Sequence, residues 1–132
     1  MTWMMFGLKT CDSCRKARRW LDSQGVPYQM LDLREAPPTR NLMQQWLDAA
    51  GAERLVNRRS ATWRSLTEAE RAAAAPSAAP DALLDLLAAQ PTLIKRPLFQ
   101  RGNTVIVGFD TAARAALGAS SAPNQGSARR YG

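Results

Sequence analysis

Apolar positions are grouped in short runs near both ends of the chain and recur at helical spacing between them. Trp3-Met4-Met5-Phe6-Gly7-Leu8 is an apolar run of strand length. It is followed by Arg15-Lys16-Ala17-Arg18-Arg19-Trp20-Leu21, whose helical pattern ends before Gly25. Residues 27–33 predict a second strand, which Pro37 and Pro38 prevent from continuing. Thr39 then suits the cap of a helix whose apolar face is Leu42, Met43, Trp46, Leu47 and Ala50, with Gly51 as its stop.

Residues 55–60 read as an irregular polar stretch. Thr67 and Glu70 have capping-box spacing. Pro76 and Pro80 frame a break, after which Asp81 is expected to cap a helix carrying Leu83, Leu84, Leu86 and Leu87 up to Pro91. Residues 93–99 and 104–108 form a strand–turn–strand signal bent at Gly102-Asn103. Asp110 is expected to cap a final helix over residues 111–117. From Gly118 onward, few apolar residues remain to bury, which predicts a disordered tail over 118–132. The order is βαβ, a helical segment over about 39–90, then ββα.

The only two cysteines are Cys11 and Cys14, and there is no histidine. A structural zinc site takes four ligands, usually Cys and His, so one chain cannot furnish it from these residues. A Cys11–Cys14 disulfide closes too short a loop to restrict the unfolded chain much. Reversible thiol chemistry remains, beside the simpler alternative of two inert neighbouring thiols. The motif falls at a strand-to-helix junction, with Cys11 at or near the N-cap. Unpaired backbone N–H groups and the helix dipole there favour a thiolate. Lys9, Arg15, Lys16, Arg18 and Arg19 add positive charge, against Asp12 and Asp22, and Lys9 and Arg15 are expected to help bind an anionic substrate. Cys14 shares a helix face with Ala17 and Leu21 and should point inward. Cys11 is therefore expected to attack and Cys14 to resolve. A thiol motif between the first strand and helix of a βαβ…ββα chain predicts an α/β thioredoxin-like fold, with a mixed four-stranded sheet and an inserted helical lobe.

At 132 residues the chain suits one domain over residues 1–117 followed by the tail. No apolar run approaches the roughly 20 residues that span a bilayer, and no signal peptide is evident, so no membrane role is expected. A lone CxxC that must cycle suits a reducing cytoplasm. The net charge of +7 raises the question of nucleic acid. The cations are dispersed and not interleaved with aromatic platforms, which argues against that partner and for anionic small substrates.

Three blocks sharpen the picture: residues 7–18 (GLKTCDSCRKAR), 57–64 (NRRSATWR) and 93–97 (LIKRP), with a weaker fourth at 107–110 (VGFD). In this order they resemble the arsenate reductase-like ArsC/Spx/YffB family, most closely its YffB branch. The resemblance implies a thioredoxin-like fold, Cys11 as nucleophile, and Arg58 and Arg96 as the first two of three arginines around an anion. Gly108 stands where the third would be, which implies feeble arsenate reduction. Pro97 would be the cis-proline opposite the nucleophile. Arg59, Arg64 and Lys95 are expected to be surface charges, and Trp46 and Trp63 to serve packing. The implied activity is glutathione-dependent thiol/disulfide reduction, with no bound cofactor, no metal, and glutathione as co-substrate. Glutaredoxin or thioredoxin are candidate protein partners. Arsenate reduction is the alternative. A second alternative is an Spx-like redox switch that binds RNA polymerase.

Overall fold

A computed structural model describes residues 2–121. Its sheet has four strands. Strand β1 (Trp3–Gly7) pairs in parallel with β2 (Tyr28–Asp32), in a register that sets Gly7 beside Asp32. On its other side β1 pairs antiparallel with β3 (Leu98–Arg101), which pairs antiparallel with β4 (Thr104–Val107). The sheet is mixed, as the order of elements predicted. The β3–β4 hairpin turns through Gly102, whose φ of 60° is what a tight two-residue loop requires of its first residue.

Helix α1 (Asp12–Gln24) fills the parallel crossover between β1 and β2. Its 3.6-residue period buries Cys14, Ala17 and Leu21. Gly25 adopts the left-handed conformation (φ 66°) and ends it, with the Val26 N–H closing on the Leu21 carbonyl at 3.0 Å. Helix α7 (Thr111–Ser121) lies toward the same sheet face. There Trp3, Met5, Cys14, Ala17, Leu21, Val26, Phe99 and Leu117 form one core. Alternate residues of the same strands, Phe6 and Leu98, face a second core under the helical lobe, with Met43, Trp46, Leu84 and Leu87. Burial on both faces explains why β1 is apolar without a break.

The lobe comprises α2 (Arg40–Ala50), α3 (Ala52–Leu55), α4 (Ala61–Ser65), α5 (Glu68–Ala72) and α6 (Pro80–Ala89). Thr39 caps α2 through the Leu42 N–H at 3.1 Å. The reciprocal Thr67–Glu70 capping box opens α5. Trp46 is fully buried in the core, and its Nε1 donates to Gln100 Oε1 at 2.8 Å.

Several boundaries differ from the pattern-based expectation. Ala79, not Asp81, is the N-cap of α6; Pro80 occupies the first turn, where its missing N–H costs nothing. Asp81 instead pairs with Arg40 at 2.9 Å, tying α6 to α2. Residues 55–60 are not uniformly polar surface: Leu55 and Val56 are buried, and Val56 bridges antiparallel to Ile94. The third strand starts at Leu98 rather than at residue 93. Pro91–Leu93 is a 3-10 turn, and Pro97 has no N–H to give a ladder. Helix α7 continues past Leu117 to Ser121, since one glycine inside a helix costs only about 1 kcal/mol. The tail expected to be disordered otherwise lies outside the described residues.

Candidate functional site

The end of β1 and the start of α1 are joined by a short loop that is held from three sides. The Cys11 N–H donates to the Leu8 carbonyl at 3.1 Å, and the Cys11 carbonyl accepts from Arg15 N–H at 3.0 Å. Asp32, at the end of β2, accepts from the Lys9 N–H at 2.9 Å through one carboxylate oxygen and from the Arg34 N–H at 2.8 Å through the other. These contacts, the Lys9 N–H foremost, hold the Asp32 carboxyl below its ordinary range despite a smaller opposing effect of burial. Asp32 is a positioning residue that the sequence reading missed. Its signal was an acid at the strand end that runs parallel beside Gly7.

Cys11 is the N-cap of α1, with φ −80° and ψ 126°, and is half-buried; Cys14 is buried. Both are free thiols. Gly7 makes room for the inner one: a Cβ at Gly7 would stand 2.5 Å from Cys14 Sγ. The two thiols are tuned in opposite directions. Burial works against the Cys11 thiolate, but donation from the Cys14 N–H, the Cys14 thiol, the Arg96 guanidinium and the Ser13 N–H outweighs it and lowers the pKa. At Cys14 burial dominates, and the nearby Cys11 charge adds to it, so the pKa is pushed up to about 12. The thiolate is favoured at Cys11 and the protonated thiol at Cys14.

Arg96 approaches this pair from the segment before β3. Its Nη1 donates to the Thr92 and Ile94 carbonyls, while its buried Nε has no partner among the described residues. The following Arg96–Pro97 peptide is cis, and the Pro97 carbonyl accepts from the Gly108 N–H at 2.8 Å. The structure thus brings together Cys11, Cys14 and Arg96, with the cis Pro97 adjoining Arg96.

The other cations named from the sequence make contacts of their own. Lys9 pairs with Glu35 at 2.9 Å and Arg15 with Asp12, both on the surface. Arg58 Nη2 donates to the Ala74 carbonyl at 3.0 Å, and its guanidinium lies 5.4 Å from the centroid of Trp63, over whose ring Arg71 also lies. Arg58 is built into the lobe and is exposed to a cleft beside Lys95. Arg64 donates to the Arg59 carbonyl at 2.8 Å, a role within the lobe.

A strand-to-helix thiol motif on a mixed four-stranded sheet, with a cis-proline before the third strand, defines the thioredoxin-like class. Within it the chain belongs to the ArsC family, whose model matches residues 6–117. Similar proteins span the family's different branches. A solved YFFB protein shares 33% identity at a TM-score of 0.77, covering 87% of this chain and 97% of its own. A solved arsenate reductase (ArsC) related protein from Brucella melitensis shares 31% at a TM-score of 0.68, covering 88% and 93%. The global transcriptional regulator Spx 1 of Lactococcus lactis is 31% identical, over 76% of this chain and 77% of its own. Among the described residues, no helix is long and apolar enough to cross a membrane.

Proposed function

We propose that this chain is a thiol-dependent oxidoreductase that reduces disulfide or S-thiolated substrates, with glutathione as the reducing co-substrate. The observation that carries the proposal is Cys11 itself: an N-cap thiol with a lowered pKa, half-exposed, beside the guanidinium of Arg96. The Cys11 thiolate attacks one sulfur of a disulfide RS–SR′. A Cys11–SR bond forms, the RS–SR′ bond breaks, and R′S⁻ leaves and takes up a proton from solvent. A glutathione thiolate then attacks the R sulfur, giving RSSG and regenerating the Cys11 thiolate. No histidine base is required, because the attacking group is ionised beforehand. Arg96 favours that ionised state through its charge.

Internal resolution is the slower route in this chain. Cys14 is buried with a pKa of about 12, so almost none of it is thiolate at neutral pH. Its ionisation becomes easier once Cys11 is in a mixed disulfide and carries no charge, which leaves the Cys11–Cys14 disulfide accessible as an oxidised form.

The test is turnover with glutathione against three substrates: a glutathionylated peptide, hydroxyethyl disulfide and arsenate. Reduction of the first two, abolished in Cys11→Ser, is expected. Turnover of arsenate alone would replace this reading with the arsenate reductase one. The Lactococcus Spx relative favours a second reading, a redox-switched regulator. It requires capture of RNA polymerase, through the C-terminal domain of its α polypeptide, that changes when Cys11 and Cys14 are oxidised, with no turnover of any substrate.

A further inference from the structure

Lys95 lies one residue before Arg96, yet its side chain is placed quite differently. The segment that carries it is stapled to the lobe. The Asn57 N–H donates to the Leu93 carbonyl at 2.7 Å, the Lys95 N–H donates to the Leu55 carbonyl at 2.8 Å, and Val56 bridges Ile94 between them. In this extended pairing, side chains alternate sides. Val56 and Ile94 turn into the core, and Lys95 turns outward, exposed. Its stem runs over Gly108, where a Cβ would come within 3.9 Å of Lys95 Cε. Gly108 in turn donates to the carbonyl of cis-Pro97. No ion pair among the described residues engages the Lys95 ammonium.

The same lysine walls an open cleft of about 330 Å³ lined by Glu53, Val56, Asn57, Arg58, Arg59 and Lys95. Three cations face a single carboxylate there. A cleft with that excess of positive charge attracts anions, and the lysine on its wall immediately precedes Arg96, the residue that tunes Cys11.

We infer that Lys95, with Arg58 and Arg59 across the cleft, forms a carboxylate-recognition subsite for thiol or mixed-disulfide substrates that carry an acidic group near the sulfur. The inference rests on the thiol-reductase reading and extends it to specificity. Successive residues divide the work: Arg96 serves the sulfur end at Cys11, and Lys95 reads a carboxylate of the same molecule from the cleft. Lys95 is therefore a specificity residue rather than an incidental surface charge.

Two measurements test it. The first is equilibrium binding of S-methylglutathione, an unreactive thioether with two carboxylates, followed by NMR or calorimetry. Removing one charge-assisted contact at an exposed site should weaken binding of Lys95→Gln by about five- to tenfold. Lys95→Arg should restore most of it, and rising salt should erase the difference between wild type and Lys95→Gln. Equal binding by wild type and Lys95→Gln, or no binding by either, overturns the subsite. The second compares KM for a glutathionylated peptide with KM for the uncharged hydroxyethyl disulfide, each with glutathione as reductant. Lys95→Gln should raise the first by a similar factor and leave the second within about twofold. Parallel changes in both, or none, also overturn it. If S-methylglutathione binding depends on Lys95 but no disulfide is turned over, the subsite stands and the reductase reading fails. If disulfides are turned over and Lys95→Gln changes nothing, the reverse holds.

Discussion

Gly7 and Cys14 are fitted to one another: the last residue of β1 has no side chain where the Cys14 sulfur sits, and a Cβ there would approach it to 2.5 Å. Both residues belong to the tightly packed junction of sheet and α1, so neither can yield cheaply. Gly7→Ala should lower stability by about 1–3 kcal/mol through overpacking. Cys14→Ala in the same chain should return more than half of that loss, as urea denaturation of the two single variants and the double variant would measure. Simple additivity would mean that the two residues do not collide.

The two thiols should differ sharply in reactivity. Iodoacetamide labelling followed by mass spectrometry should modify Cys11 with a pH midpoint below that of an ordinary thiol, near 8.5. Cys14 should stay unlabelled until strongly alkaline pH. Arg96→Gln removes a cation that favours the thiolate, so the Cys11 midpoint should move upward. Faster labelling at Cys14, or a midpoint indifferent to Arg96, would contradict the assignment of roles.

Alkali should also weaken the fold through Cys14. Its pKa is about 12 when folded and about 8.5 when unfolded. Above the lower value the unfolded chain binds fewer protons, so stability must fall with rising pH. Comparing wild type with Cys14→Ala between about pH 8.5 and 12 should show a steeper decline in the wild type. Parallel curves would place the thiol in a less buried state.

Turnover with excess glutathione should survive the loss of Cys14. Cys14→Ser is expected to keep at least half of the disulfide-reducing rate, since the outside thiol resolves the Cys11 adduct. The Cys11–Cys14 disulfide should no longer form under oxidation. A collapse of turnover in a folded Cys14→Ser would instead make internal resolution obligatory.

Adding an arginine at position 108 should not create a good arsenate site. Gly108 has φ +89°, a conformation that side chains strain to adopt, and the Lys95 stem lies beside it. Gly108→Arg should lower the melting temperature and leave arsenate turnover no higher than in the wild type. A stable variant with raised arsenate turnover would show that the site lacked only a cation.

The sequence alone determined what depends on near neighbours. The apolar run of β1, the helical period that buries Cys14, Ala17 and Leu21, and the stop at Gly25 are legible because periodicity and capping act over a few residues. The N-cap placement of Cys11 and the Thr67–Glu70 box follow for the same reason. Arg96 was reached from a family-like block, and the structure sets it beside Cys11. Tertiary structure decided the rest. Asp32 holds the Cys11 loop only because parallel pairing sets β2 beside β1. Arg58 is drawn toward Ala74 and Trp63 by the packing of the lobe. The late start of β3 reflects the Val56–Ile94 bridge, the 3-10 turn and Pro97 together. Lys95 looks like any exposed lysine in the chain, and its place over Gly108 exists only once the cis-Pro97 segment meets β4. Contacts between residues far apart in sequence depend on loop closure and on competition for packing, which no local pattern encodes.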